Sequence, residues 1–309
     1  MKRIIGLIII NLILIFAVGI STPYFLTKDN FIVLIDNLAL EIIALSGYTL
    51  LLVGGHFDLS VDGIVALCGV VAGILMTSGV EWYIAVIAAL SLSILIGAIN
   101  GIVVVKFNVN GLIATLTTWW ICVGFSMGLT KALSPYGFPD IFQAIGQSRI
   151  LGFRSTVLYA VIIAVVLSVV LHWTRTGAHL YVSGDNRKSA EMLGINTIKL
   201  GIKVYILVGL LSGFIGLIIA SRLNAASPVA VDGMALRVIA AIVIGGGNLS
   251  GGQGTIVGGI LGLIIMHILG NAVIQLGISP YWQKSLLGTV LLVAVLAEQF
   301  KFKLRRQVT

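Results

Sequence analysis

Residues 239–259 read Ile-Ala-Ala-Ile-Val-Ile-Gly-Gly-Gly-Asn-Leu-Ser-Gly-Gly-Gln-Gly-Thr-Ile-Val-Gly-Gly. An apolar run breaks into glycines and hydroxyl-bearing residues, then resumes as Ile260-Leu-Gly-Leu-Ile-Ile-Met266. In lipid an unpaired backbone group is costly, so such a break is tolerated only where protein or a water-filled cavity covers it. Interrupted membrane helices are a mark of transport proteins. The stretch points to an all-α bundle of membrane helices, with Gly245, Gly246, Gly251 and Gly252 supplying a break between two spans.

The rest of the chain agrees. It is 59% hydrophobic and 10% charged, with a mean hydropathy of +1.12, whereas a soluble domain carries roughly 25% charged residues. The net charge of +8 is no nucleic-acid signal, because the basic residues stand at segment ends rather than in a patch. Leu249-Ser-Gly-Gly-Gln253 spells the signature of ABC ATPases, but that signature belongs to a soluble domain with a Gly-x-x-x-x-Gly-Lys-Ser/Thr loop. This chain has no such loop. Cys68 and Cys122 lie inside apolar runs and read as buried, inert thiols. Met1-Lys-Arg3 and the apolar run behind it resemble a signal peptide, yet Ser21-Thr-Pro-Tyr-Phe25 lacks a small-x-small cleavage site, so the run is expected to stay as a first span.

A bilayer core of ~30 Å needs about 20 apolar residues per helix. On that ruler spans are expected near 4–20, 35–53, 62–79, 83–105, 111–130, 156–173, 204–222, 236–247, 255–275 and 286–299, about ten in all. With both termini in the cytoplasm, twelve of the nineteen Lys and Arg fall in cytoplasmic segments, as the positive-inside rule requires. Trp82-Tyr83, Trp173 and Tyr281-Trp282 sit at span ends as interfacial anchors. Residues 131–155 form an external loop too short for a domain. Residues 174–203 form the longest and most charged cytoplasmic loop. Within it, 185–194 read as a short amphipathic helix, capped by Asp185 or Asn186 and ended by Gly194. The whole of 1–309 is thus one transmembrane domain: an N-terminal span and connector over 1–34, a core over 35–300 and a tail over 301–309.

Val61-Asp-Gly-Ile-Val-Ala-Leu67 opens the third span, and Val231-Asp-Gly-Met-Ala-Leu236 leads into the eighth, five spans later. An odd offset puts the second copy in from the opposite side, an inverted repeat whose facing helix ends frame a site near the midplane. Asp58 and Asp62 stand where an apolar chain avoids charge; they are candidates for the pathway or caps for the third span. Ser60 lies between them. Asn100, Thr115, Thr117, Thr118 and Asn248 can hydrogen-bond a hydroxylated solute or a neighbouring helix. Glu41 is expected near the external end of the second span or paired within the bundle. His56, His172, His179 and His267 show no metal-ligand spacing with any Cys, Asp or Glu pair, and no nucleophile pattern falls on a span, so neither a metal centre nor an enzyme is expected.

Over residues 35–300 the chain resembles the permease subunits of bacterial ABC importers for simple sugars, the ribose, xylose and autoinducer-2 group, related to branched-chain amino-acid permeases. The resemblance rests on Gly54-Gly-His-Phe-Asp-Leu-Ser-Val-Asp-Gly63, Asn100-Gly101, Ile113-Ala-Thr-Leu116, Gly184-Asp-Asn-Arg-Lys-Ser-Ala-Glu-Met-Leu-Gly-Ile195 and Ile239 through Gly254. The chain departs from the pattern by an extra residue in 54–58, by Asp62 in place of glycine, by Val109-Asn-Gly111, by Thr117, and by Ala235 with Arg237 near an expected acid. The resemblance implies that the chain carries no cofactor and that ATP and Mg are bound by a partner ATPase. It implies a second permease copy or a paralogue, two cytoplasmic ATPase domains, an extracytoplasmic solute-binding protein and the bacterial inner membrane. Arg187, Lys188, Ser189, Ala190, Gly194 and Ile195 are then the contacts to the ATPase, and Asp58, Ser60, Asp62, Asn100, Thr115 and Asn248 line the pathway. Nucleoside or branched-chain amino-acid import, and a stand-alone ion-coupled transporter, are the other readings.

Overall fold

The computed structural model describes residues 2–150 and 152–279, with isolated positions between 282 and 296. Its long helices are α1 (Lys2–Ser21), α2 (Lys28–Val53), α4 (Trp82–Gly101, continued by a π-helical turn over Ile102–Lys106), α5 (Gly111–Thr130), α7 (Ser155–Trp173), α10 (Thr197–Leu223) and α12 (Ile256–Gln275). These seven are long and apolar enough to cross a membrane. Two apolar helices are shorter, α3 (Val61–Thr77) and α11 (Met234–Gly245). The remaining pieces are α6 (Asp140–Gln147), a hairpin of β1 (Arg149–Ile150) and β2 (Phe153–Arg154), α8 (Arg175–Asp185) and α9 (Arg187–Met192). Nine of the expected spans coincide with helices to within a few residues, save that α2 and α10 start about two turns earlier. The tenth, 286–299, lies outside the described residues but for isolated positions, as does the tail 301–309.

α10 is the central post. It packs along α4, α3 and α2, and most of its length is buried. Glycine makes the α4–α10 crossing close: a Cβ on Gly97 would lie 2.6 Å from the Tyr205 carbonyl, and one on Gly209 would lie 2.5 Å from that of Ser93. Small residues at such crossings let membrane helices approach to backbone contact.

The bundle has two ends. At one, Gly252 N–H donates to the Val53 carbonyl (2.9 Å) and Tyr181 Oη to the Gly254 carbonyl (2.6 Å), gathering the end of α2, the α8–α9 segment and the glycine cluster. At the other, Ala226 N–H donates to the Pro135 carbonyl (2.9 Å), Phe138 N–H to Asn224 Oδ1 (2.8 Å), and Arg154 pairs with Asp36 (3.2 Å). We call them the α9 end and the α6 end.

The glycine cluster is a turn at the α9 end, not an interruption inside a helix. Gly245 still belongs to α11 and packs on Gly258 of α12; Gly246, Gly251 and Gly252 then take φ of +111°, +93° and +72°. At Gly251 a Cβ would also sit 2.7 Å from Gly55 Cα, so both conformation and space demand glycine. The interruption that shortens α11 lies at its other end, in the non-helical residues 226–233. Twelve helical residues rise about 18 Å, well short of a ~30 Å core. With the α11 C-terminus at the α9 end, its N-terminus falls inside the bundle.

Candidate functional site

α2 stops at Val53 because Gly55 turns back at φ +77°, with the His56 N–H returning to the Leu51 carbonyl. The chain then crosses residues 56–60 without helix and starts α3 at Val61. Such backbone carries donors and acceptors that no helix satisfies, and in a buried setting each must find a partner. Side chains from three helices, and from the segment itself, supply them. Tyr48 Oη accepts from the Asp58 N–H (3.2 Å), Thr115 Oγ1 accepts from the Leu59 N–H (2.8 Å), and Tyr205 Oη donates to the Phe57 carbonyl (2.6 Å). Asp58 Oδ1 accepts from both the Ser60 N–H (2.7 Å) and Ser60 Oγ (2.5 Å), an Asx turn.

A chain of donors all pointing one way completes the network. Thr118 Oγ1 donates to Asn100 Oδ1 (2.7 Å), Asn100 Nδ2 to Ser60 Oγ (2.8 Å), and Ser60 Oγ to Asp58. Aligned hydrogen bonds polarise one another in a low-dielectric interior. Asp58, Ser60, Asn100 and Thr115 are all buried. The structure therefore brings four of the expected pathway residues together, and their hydrogen bonds hold the 56–60 segment in place.

Asp62 performs a different task from a cap on its own helix. Its Oδ2 accepts from the N–H groups of Gly233 (2.8 Å) and Met234 (3.1 Å), and its Oδ1 from that of Ala235 (3.0 Å). It caps α11, 171 residues away or more. A carboxylate on the unpaired N–H groups of a helix start satisfies both the hydrogen bonds and the helix dipole. α3 runs from this junction to the α6 end, where Gly73 meets Pro135, Phe138 and Ala226; α11 runs to the α9 end. The two copies of the sequence echo thus meet at their N-termini and diverge in opposite directions, as an inverted repeat requires.

Asn248 does not join this group. It lies in the glycine turn at the α9 end, where its Oδ1 accepts from the Ser250 N–H (2.8 Å). Thr117 is exposed and its hydroxyl bonds only the Ile113 carbonyl of its own helix (2.9 Å). Tyr48 and Tyr205 escaped the sequence reading, although a tyrosine buried mid-span needs a partner for its hydroxyl.

At the α9 end Asn186 caps α9, its Oδ1 accepting from the Ser189 N–H (3.1 Å), and Gly194 turns the chain at φ +78°. Arg187 Nε pairs with Glu191 (3.1 Å), which also accepts from Thr197 Oγ1 (2.8 Å). The Thr197 hydroxyl and Arg187 hold the Glu191 carboxyl below its ordinary pKa. Lys188 and Ser189 are exposed, but Ala190 is fully buried and Ile195 packs against the core, so those two face the bundle. The apolar surface is instead Met192 and Leu193, 87% and 72% exposed. A cavity of about 310 Å³ at this end is lined by Gly54, His56, Asn108, Ser183, Arg187 and Thr197 among others. His56 and Gly111 also line a second cavity of about 380 Å³ that reaches Phe57 and Asn110. Among the described residues no group of His, Cys, Asp and Glu is placed to hold a metal ion.

Residues 31–295 match the family model described as the permease component of the branched-chain amino acid transport system. The chain is 37% identical over 295 residues to the ribose import permease protein of Escherichia coli (strain K12), covering 94% of this chain and 92% of that one. It is 35% identical over 291 residues to the ribose import permease protein of Bacillus subtilis (strain 168), covering 94% and 90%. With the L-arabinose transport system permease protein of E. coli (strain K12) the identity is 31% over 303 residues, covering 98% and 92%. No solved structure gives a significant match.

Proposed function

This chain belongs to the family of branched-chain amino acid transport permease components, and from that premise we propose that it forms the membrane pathway of an ATP-driven importer for a simple sugar. It is a transport subunit rather than an enzyme, and a multi-pass protein of the inner membrane. The observation that carries the cargo is the match over nearly the whole chain to relatives named for ribose and arabinose import. As a permease of this kind it works with an ATPase and a substrate-binding partner.

In the finer reading, two copies, or this chain with a paralogue, sit on two ATPases that bind ATP and Mg, and an extracytoplasmic binding protein delivers solute at the α6 end. The α9 end and both termini are cytoplasmic. Arg187, Lys188, Ser189 and Gly194 border the ATPase, and Met192 and Leu193 are the apolar knob that enters it; Ala190 and Ile195 support α9 from beneath. The junction of α3 and α11 is the part of the pathway that changes shape, with Asp58, Ser60, Asn100 and Thr115 as its fixed wall.

The test is uptake of labelled ribose and arabinose by cells carrying the permease with its cognate ATPase and binding protein. Sugar uptake that vanishes when the ATPase is inactivated supports the reading. Uptake that persists without the ATPase would place the chain among ion-coupled transporters, and uptake of leucine instead of sugar would change the cargo. Met192→Asp with Leu193→Asp is expected to release the ATPase in pull-downs while leaving the permease folded; retention of the ATPase would remove the docking role of α9.

A further inference from the structure

Three ionisable side chains from three helices meet halfway along the bundle. Arg237, near the start of α11, places Nη2 2.9 Å and Nε 3.0 Å from Glu41 Oε1 of α2. His267 Nε2 of α12 stands 3.1 Å from Glu41 Oε2. Glu41 is twelve residues before the end of α2 and His267 eleven after the start of α12, heights of about 18 and 17 Å above the α9 end. That is the middle of a ~30 Å core.

The cluster is closed on one side and open on the other. The Glu41 side chain is 8% exposed, but that of Arg237 keeps 27%. Arg237 Nη1 donates to the Asp232 carbonyl (3.1 Å), and Asp232 is itself exposed. On α11, residues 236, 237, 240 and 244 share one face. Leu236 is 50% exposed on that face while Ala240, one turn further on, is covered. The larger opening on that face is therefore at the mid-depth turn, with Ile244 half-buried nearer the α9 end. Charged groups at that depth face a bundle interior or water, since hydrocarbon does not solvate them.

We infer that the turn from Asp232 to Arg237 lines the water-filled part of the solute pathway, with Arg237 contacting a neutral polyhydroxylated solute and Glu41 and His267 acting as positioning residues. This rests on the sugar-importer reading above. A guanidinium offers a rigid fork of donors that fits adjacent hydroxyls. Glu41 neutralises the guanidinium, so an uncharged solute meets matched donors without a net attractive field, and His267 Nε2, 3.1 Å from the far oxygen of Glu41, bounds that carboxylate on its other side and limits how far the fork can turn.

The experiment is thiol labelling of Leu236→Cys in membrane vesicles holding the permease with its ATPase and binding protein. The parent, whose Cys68 and Cys122 are buried, gives the baseline. Leu95→Cys, on the exposed face of α4 at similar depth, reports hydrocarbon. The probe is a permanently cationic methanethiosulfonate, which does not enter lipid. Leu236→Cys is expected to react faster than Leu95→Cys by on the order of tenfold or more, because the thiolate that reacts forms in contact with water. Ribose or arabinose should slow it. Equal slow reaction at both positions would show the turn to be sealed by lipid or by a second copy and would overturn the inference. Fast reaction slowed by leucine and by neither sugar would keep the lining and remove the sugar reading; fast reaction that no solute slows would overturn the contact. Glu41→Gln and His267→Gln should change the ratio of ribose to arabinose uptake. A loss of both uptakes in equal proportion would make them structural ties and overturn their positioning role.

Discussion

The two halves of the repeat hold their non-helical segments in opposite ways. Residues 56–60, which lead into α3, are tied by hydroxyls and an amide from α2, α4, α5 and α10, with Asp58 and Ser60 buried and His56 and Phe57 half-buried against cavities. Residues 226–233, which lead into α11, are tied by the Pro135 carbonyl at one end and by Asp62 and Arg237 at the other, and Val229 between them is exposed. Local opening costs least where few buried contacts must break. The first half is built as a fixed wall, and the second as a strap fastened at its ends.

That contrast is most easily broken at Asp62. Replacing it by alanine strands three N–H groups at the start of α11, two buried and one part-buried, and each lost buried partner costs about 1–3 kcal/mol. We expect Asp62→Ala to lose about 3 kcal/mol or more of stability, read as a lower melting temperature in detergent, with Asp62→Asn recovering part of it. An unchanged melting temperature would mean that the strap has other fastenings of equal strength. Asp58 gives the sharper test of the wall. Its Oδ1 accepts both hydrogen bonds from Ser60, whereas Oδ2 is buried with no partner. Asp58→Asn preserves every contact and should cost under about 1 kcal/mol, against about 2 for Asp58→Ala. If asparagine is as harmful as alanine, the charge matters and the wall reading fails. Thr115→Val keeps the shape and removes the acceptor for the Leu59 N–H. A loss of about 1–2 kcal/mol is expected, with faster amide exchange confined to 56–60 rather than spread through 226–233.

The smallest effect belongs outside both halves. Thr197 and Arg187 lower the Glu191 pKa, so their ties to it are fully made above the ordinary carboxylate range and are lost as the pH falls through the lowered value. Amide protection in 187–195, relative to the unstructured rate at each pH, should fall on that acidification in the parent and should stay constant over the same range in Glu191→Gln. The melting temperature should stay unchanged in both.

Hydropathy made the spans legible because a bilayer imposes length and apolarity directly on each helix. α5 occupies the residues expected of it, 111–130, and Asn186 and Gly194 bound α9 by local rules of capping. The roles of the polar residues were legible only as alternatives. Whether Asn100 meets a solute or Ser60 depends on a residue 40 positions away, and no local pattern encodes that distance. Arg237, Glu41 and His267 stood in three separate apolar runs, and each alone resembles an isolated oddity. The short α11 shows in the sequence as a short apolar run with the glycines as the loudest feature beside it; the segment that shortens it, 226–233, carries one proline and no run of glycines.

Asp62 belongs to the first half by sequence and to the second half by bonding. The halves of this molecule are therefore not interchangeable parts. A chimera that took residues 1–173 from a relative with glycine at that position would inherit a complete first half, and would still leave the eighth span without its cap. Any recombination that keeps this second half has to keep an acceptor at position 62, although the breakpoint that separates the two spares every helix.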